Sequence, residues 1–340
     1  MAGIEDVAQR AGVSIATVSR ALSGRGPVSP ATKERVKAVA DELGYVVSPN
    51  ASGLASGKTR TVGIVVPFLN SWFYTSVIEG AQSVLLAHGY DVTLYNLFGS
   101  GTAREAVLER SLRRRRDDAL IAVSLELTEK EVQRLRETNK PMVGVGGPLT
   151  GVTTLSVDDM GVAQLAAEHL IMLGHTRIAH LGGDVDHELD FHIPSKRRLG
   201  YEHALRSAGI EVDAELFCIT EFSIEGGYRS AKQVLGDPRR RPTGVVTASD
   251  EMAFGTILAA RDLGLSVPGD LSVVGIDGHE LSEFCRLTTV AQYPERQGAR
   301  AAEEVLALLD PERERTGAMD IPVEYDLVVR GSTGRAPDSR

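Results

Sequence analysis

The segment DVAQRAGVSIATVSRAL, residues 6–22, predicts two short helices joined by a tight turn. Apolar residues recur at helical spacing before Gly12, which stands where the chain must take a left-handed conformation. Ser14 is a good N-cap for the second helix, and Val18 and Leu22 form its expected inward face. Two helices meeting in this way are typical of a helix-turn-helix, whose second helix enters the major groove of DNA.

The outward positions of this unit are the candidate DNA contacts. We expect Ile15, Ala16 and Arg20 to read base edges, since an arginine fork is the natural partner of guanine. Phosphate contacts suit hydroxyl-bearing side chains at helix ends and in the turn. The residues expected in that role are Ser14, Thr17, Ser19, Ser29, Thr32 and Tyr45.

Charge is unevenly distributed along the chain. The 340 residues have a formal net charge of -9, yet residues 1–60 carry eight Lys and Arg against five Asp and Glu. The remainder carries 29 against 41. A basic head on an acidic body is expected of a small DNA-binding domain attached to a sensor.

The composition favours a cytoplasmic protein of two or three structural units. Cys218 and Cys285 are the only cysteines, too few for a disulfide framework. Neither a secretion signal nor an apolar run of the ~18 residues that span a bilayer occurs.

From Thr61 onward, Val- and Ile-rich runs alternate with amphipathic helices, which predicts two doubly wound α/β domains with parallel sheets.

Several longer motifs carry a family resemblance. DVAQRAGVSIATVSR, LSGRGPVSPATKERV, HLIMLGHTRIAHLGG, RPTGVVTASDEMAFG and LGLSVPGDLSVVGIDG resemble the lactose-repressor family of transcription regulators, and the match extends from about residue 3 to residue 330. The resemblance implies an all-α helix-turn-helix head and a periplasmic-binding-protein-like core of two doubly wound lobes, with a ligand between them.

The resemblance also implies domain boundaries. The head is expected at 1–46, a hinge helix or linker at 47–59, the effector core at 60–330 and a polar tail at 331–340. Within the core, the first lobe is expected at about 60–157 and 290–320, and the second at about 158–289 and 321–330.

In the hinge, Leu54 matches the family's minor-groove wedge, and Asn50 and Ala51 are expected beside it on the DNA. Pro49-Asn50 comes two places later than the family pattern.

Candidate effector contacts lie where core strands end, because ligands of such sheets bind outside the carboxyl ends of the strands. Three adjacent aromatics follow the first core strand and can stack on a sugar ring or a base. By resemblance, Arg197 matches the family's cleft arginine and Phe222 its ligand-facing aromatic. Asp250 is equally suited to cap the helix that follows it. The full expected set is Trp72, Phe73, Tyr74, Arg197, Phe222, Ser249, Asp250, Asp277 and Gln292.

These features predict a homodimeric repressor of a pseudo-palindromic operator, released by a small ligand, most simply a mono- or oligosaccharide. Neither a catalytic set, a cofactor motif nor a metal-ligand spacing is expected; His187, Glu188, Asp190 and His192 fit no standard metal pattern. Three alternatives stay open within the regulator reading: a purine or nucleoside ligand, a corepressor, and a signal from a phosphorylated partner protein. A cytoplasmic solute-binding protein without regulation is the alternative from another class.

Overall fold

The computed structural model describes residues 2–23, 26–45, 58–97, 102–108, 117–125, 127–183, 192–312 and 317–337. The chain divides into a small unit formed chiefly by residues up to Thr61 and a large unit from Val62 onward. In the described ranges, no helix is both long and apolar enough to cross a bilayer.

The small unit is a three-helix head. Its helices are α1 (Ile4–Ala11), α2 (Ile15–Ser23) and α3 (Pro30–Glu42). Gly12 has a φ of 64° and ends α1, so the predicted left-handed turn between the first two helices is present. Apolar residues of all three helices form one small core: Val7, Ala8, Ala11, Val18, Val36 and Ala40.

The large unit contains two sheets. The first-lobe sheet has the order β11-β5-β4-β3-β1-β2. Its strands are β1 (Thr61–Val66), β2 (Asp91–Asn96), β3 (Ala119–Val123), β4 (Met142–Val145), β5 (Thr153–Ser156) and β11 (Asp320–Pro322). The first-lobe helices are α4 (Trp72–Ala87), α5 (Thr102–Ala106) and α6 (Glu129–Arg136).

The second-lobe sheet has the order β12-β10-β9-β8-β6-β7. Its strands are β6 (Ile178–Gly182), β7 (Phe217–Ile219), β8 (Gly244–Thr247), β9 (Ser272–Asp277), β10 (Thr288–Ala291) and β12 (Asp326–Val328). The accompanying helices are α7 (Asp159–Met172), α8 (Ile193–Ser207), α9 (Ile224–Leu235), α10 (Asp250–Asp262) and α11 (Leu281–Phe284). The predicted α/β core with parallel sheets is confirmed, except that β12 runs antiparallel to β10.

The chain passes between the lobes after β5, after β10 and again between β11 and β12. On its return it forms α12 (Pro294–Leu309), which packs against α4 and shares the first-lobe core. Two glycines allow this close approach: a Cβ on Gly80 would lie 1.9 Å from the carbonyl oxygen of Glu295, and one on Gly298 would lie 1.9 Å from that of Val77. These interwoven passages place the carboxyl ends of both sheets on one cleft.

Residues 331–337, expected as part of a polar tail, are built into the second lobe. The buried Ser332 hydroxyl accepts from the N–H of Thr288 at 2.8 Å and donates to the carbonyl of Val273 at 2.6 Å. The N–H of Ala336 donates to the carbonyl of Leu173 at 2.9 Å. The small hydroxyl side chains of this segment bind backbone groups of the buried strands β9 and β10, a role that its polar composition alone does not reveal.

Candidate functional site

The outer face of α2 presents the side chains that were predicted to read bases. Ile15 is 46% exposed, so its apolar side chain is available for contact with DNA bases. Ala16, Ser19 and Arg20 are exposed as well, whereas Thr17 is half-buried. The Nε of Arg20 donates to the carbonyl of Ala16 at 3.1 Å, so the guanidinium lies along the same helix face.

The amino-terminal ends of α2 and α3 carry the same hydroxyl arrangement. Ser14 accepts the N–H of Thr17 at 3.2 Å, and their hydroxyls are 2.9 Å apart. Ser29 caps α3 in the same way, with its hydroxyl 2.8 Å from that of Thr32. Helix amino termini with spare N–H and O–H donors are suited to phosphate oxygens.

The remaining predicted DNA contacts are placed differently. Tyr45 is half-buried and packs against the apolar core of the head. At least part of its side chain therefore has a structural role. Asn50, Ala51 and Leu54 lie outside the described residues.

A cavity of about 1070 Å³ lies between the two lobes of the large unit. Its volume is at the upper end of the range for small-molecule sites. Seven of the predicted effector residues line it: Phe73, Tyr74, Arg197, Phe222, Ser249, Asp277 and Gln292. The structure thus brings together side chains that are up to 219 positions apart along the chain, from Phe73 to Gln292.

Arg197 lies on the second-lobe side of this cavity and is held by two buried acceptors. Its Nε and Nη2 are each 2.9 Å from Oδ1 of Asp159, and Nη1 donates to the carbonyl of Ala248. The same Nη1 is 3.9 Å from Oδ1 of Asp277. Arg197 is 5% exposed, so its guanidinium is preorganised on one side, with its remaining N–H groups available to a ligand.

Asp277 ends β9 at the cavity wall. Its Oδ1 accepts from Nε2 of Gln292 at 2.9 Å. Burial raises the pKa of this carboxyl well above its ordinary value, although the nearby Arg197 opposes that shift. Its φ of 132° is in a region that L-residues rarely adopt, and such strain is concentrated at ligand sites.

Two predicted effector residues do not line the cavity. Asp250 is completely buried, and its carboxylate accepts from the N–H groups of Gly278 and His279 and from the hydroxyls of Ser282 and Thr289. All four of these donors belong to the segment after β9 or to β10. The expectation of a ligand contact is therefore wrong for this residue, which is structural. Ser249, not Asp250, is the N-cap of α10.

Trp72 is the second exception. Its ring stacks on the imidazole of His279, with centroids 4.4 Å apart and planes 23° apart. Trp72 begins α4 in the first lobe and His279 follows β9 in the second lobe, so the tryptophan joins the lobes instead of lining the cavity. The two aromatics beside it, Phe73 and Tyr74, are the ones on the cavity wall.

The cavity also contains polar residues that the sequence analysis missed. Asp159, the partner of Arg197, and Glu251 are the most consequential of them. Ser71 donates to Glu251 at 3.4 Å, and the backbone N–H of Trp72 also faces that carboxylate. Asp159 follows β5, and the strand-end rule would have selected it had the short TTLS segment been recognised as a strand.

Buried carboxylates, one fixed guanidinium and aromatic faces can bind a compact ligand that donates several hydrogen bonds. Carboxylate oxygens accept from hydroxyls, and aromatic rings cover apolar ring faces. Among the described residues, no cluster of three or more His, Cys, Asp or Glu side chains is arranged to hold a metal ion.

Known protein families match both the three-helix head and the two-lobed α/β core. A sequence profile for bacterial regulatory proteins of the lacI family matches residues 3–50, and one for a periplasmic binding protein-like domain matches residues 167–333. The chain is 33% identical to the HTH-type transcriptional repressor CytR of Escherichia coli K12 over 341 positions, covering 99% of this chain and 97% of that relative. The chain therefore belongs to the lacI family of bacterial regulatory proteins.

Solved structures agree with this assignment. The lac repressor dimer bound to operator and the anti-inducer ONPF is similar with a TM-score of 0.83 at 27% identity, over 98% of this chain and 99% of that one. The complex of the transcriptional regulator CelR with cellobiose is similar with a TM-score of 0.71 at 30% identity, over 98% and 100% of the two chains. These relatives are transcriptional regulators.

Proposed function

We propose that this protein is a transcriptional repressor that binds operator DNA through α2 and is controlled by a small ligand in the interlobe cavity. The observation that carries the proposal is the combination in one chain of an exposed α2 face on a basic head with a cavity between two α/β lobes. The relatives support it, because one was solved on operator with an anti-inducer and another with cellobiose.

The ligand we propose is a sugar that acts as inducer. Phe73, Tyr74 and Phe222 offer aromatic faces to the apolar side of a sugar ring, while Arg197 and Asp277 can bind its hydroxyls. The ligand can shift the protein between two states only through a difference in its affinity for them. Closing the two lobes on the sugar would supply that difference, since it adds contacts from both lobes to one molecule.

A dimer follows from the way such heads read DNA, because two recognition helices about one turn of duplex apart match a pseudo-palindromic site. Phe284 of α11 is 82% exposed and its neighbour Leu281 is 44% exposed, which favours a partner over these apolar side chains. We place this repressor in the cytoplasm, with access to chromosomal DNA, and assign it no catalytic activity.

Selection of duplexes from a random DNA library tests the proposal. We expect enrichment of a pseudo-palindromic site, loss of binding when residues 1–58 are deleted, and a roughly 10³-fold drop in affinity between 50 and 200 mM salt for six phosphate contacts. No enrichment by the full-length protein, or equal binding by the deleted form, would contradict it.

A further inference from the structure

The ionisable side chains that line the cavity are predominantly acidic. Among the described residues, the carboxylates are Asp159, Glu221, Glu225, Glu251 and Asp277, and the basic groups are Arg197 and Arg229. A cavity that binds sugar hydroxyls needs acceptors, but it does not need this surplus of negative charge. The surplus of negative charge therefore affects which ligands can bind in the cavity.

Both arginines are already compensated by carboxylates. Nη2 of Arg229 is 2.7 Å from Oε2 of Glu221, and Arg197 makes two contacts of 2.9 Å to Asp159. Lys196, which does not line the cavity, adds an attraction to Asp159. Glu251, Glu225 and Asp277 remain in excess, with Asp277 sharing Arg197 at 3.9 Å.

The environment of these carboxyls shows that the cavity resists negative charge. Burial raises the pKa values of Asp159, Glu251 and Asp277. The neighbouring Asp250 raises the pKa of Asp277 further, and it also raises that of Glu251. An anion entering the cavity would be repelled by these carboxylates or would force them to take up protons, and either course weakens its binding.

Glu251 is the carboxylate best placed to discriminate between ligands. It lines the cavity from the first turn of α10, and its position is fixed from the opposite lobe by Ser71 and the N–H of Trp72. A carboxylate can only accept hydrogen bonds, so it suits a hydroxyl or an amine, whereas a phosphate group presents mostly acceptors. Its two lobe-spanning contacts hold this charge at the cavity wall.

We propose that the acidic surplus, with Glu251 as a specificity-determining residue, makes the cavity select uncharged ligands rich in hydroxyl or amino donors and reject their phosphorylated or carboxylated derivatives. The inference rests on the proposed function, because it concerns the ligand of the same cavity. It assigns the protein to the sensing of a free sugar or nucleoside, upstream of any reaction that phosphorylates it.

Matched pairs of ligands test this inference on the full-length protein. The panel contains free sugars, cellobiose among them, and nucleosides, each beside its phosphate ester, with thermal shift to find binders and calorimetry to measure Kd. We expect stabilisation by at least one uncharged member, with its phosphate ester binding at least tenfold more weakly. A smaller ratio, tighter binding of the ester, or no stabilisation by any uncharged member would overturn the inference.

Glu251→Gln tests the assigned residue, because it removes the charge and keeps an oxygen that can accept from Ser71. We expect the ratio of the two Kd values to fall at least threefold in this variant and to stay unchanged in Glu303→Gln, an exposed glutamate that does not line the cavity. An unchanged ratio in Glu251→Gln would overturn its role, and Asp277→Asn serves as the second variant if the first fails to fold.

The two proposals fail in different ways. Binding of a phosphate ester as tight as its free sugar, in a protein that still selects operator DNA, would remove only the ligand selectivity. Selective binding of an uncharged sugar by a protein that enriches no DNA site would remove only the repressor function.

Discussion

The indole of Trp72 in the first lobe stacks on the imidazole of His279 in the second lobe, with ring centroids 4.4 Å apart. Glu251 of the second lobe reinforces this junction, because its carboxylate contacts Ser71 and the backbone N–H of Trp72 in the first lobe. His279 is in turn fixed by the buried Asp250, which accepts its backbone N–H at 2.7 Å. The lobes are therefore joined beside the cavity by a ring stack and by a carboxylate, and the buried Asp250 fixes the backbone of the stacked histidine.

His279→Ala should loosen this junction. An aromatic pair contributes about 0.5–1.5 kcal/mol beyond its buried area, so we expect ligand affinity to fall by about 2- to 12-fold through a smaller closed-state population. Trp72 is the only tryptophan, so its emission reports the same event and should shift to longer wavelength in the variant. His203→Ala, at an exposed site on α8, is the control. Unaltered emission and affinity in His279→Ala would show that the stack does not hold the lobes.

Arg197→Ala should destabilise the fold as well as remove a ligand contact. It leaves the carboxylate of Asp159, which is 3% exposed, without its partner, and breaking a buried ion pair costs about 3–5 kcal/mol. Replacing both partners, as Arg197→Met with Asp159→Asn, should recover most of that loss. Urea unfolding of Arg197→Ala, the double variant and the unaltered protein measures the difference. A double variant no more stable than Arg197→Ala would mean that the loss does not arise from the stranded carboxylate.

Arg20→Ala should reduce selectivity for the operator. If its fork binds guanine, the change costs about 1–3 kcal/mol on the selected site and much less on an unrelated duplex. Arg35→Ala, at an exposed position of α3, supplies a matched loss of one positive charge. Fluorescence anisotropy on both duplexes distinguishes the roles. An equal loss of affinity on the two duplexes would assign Arg20 to phosphate instead of base contact.

Acid should destabilise the second lobe through His180. This residue is enclosed by the rings of Tyr201 and Phe217, at 5.1 and 5.4 Å, and burial lowers its pKa from 6.5 to about 3. Between those values the unfolded chain binds a proton that the folded protein excludes. The free energy of unfolding should therefore fall as the pH drops from 6.5 toward 3, by at most about 1.4 kcal/mol per pH unit from this residue.

His180→Phe keeps a ring in the stack and removes the titration, so its stability should depend less steeply on pH than that of the unaltered protein. His203→Gln, at an exposed site on α8, is the control. His169, His175 and His279 also have pKa values lowered by burial and contribute with the same sign, so some slope persists in every variant. Superimposable pH profiles for His180→Phe and the unaltered protein would exclude this assignment.

The strands with continuous apolar runs could be predicted from the sequence, whereas several short strands could not. Runs such as TVGIVV and SVVGID are mainly apolar because both faces of their strands are covered, and each forms an interior strand. The strands β5, β7, β11 and β12 have only three or four residues, and pairing with neighbouring strands determines them. The built-in segment 331–337 was missed for the same reason, since its polar side chains bind neighbouring strand ends.

The residues of the candidate site could likewise be predicted only in part. Strand-end position located Ser249 and Asp277 on the cavity, but it could not separate them from Asp250, whose four hydrogen-bond donors come from residues 278–289. Likewise, three consecutive aromatics differ by about 100° around a helix, so adjacency could not say that Trp72 would point to His279 and its neighbours to the cavity. Asp159 and Glu251 depend on contacts between distant segments, which one sequence does not display.

The most direct test of the account is the operator affinity measured with and without ligand. The probe is the uncharged sugar or nucleoside that stabilises the protein most in thermal shift, added at saturation to the protein and its selected duplex. The account predicts that operator affinity falls by about 5- to 150-fold, the usual range of allosteric coupling. An operator affinity that is unchanged or raised by the saturating ligand would contradict it.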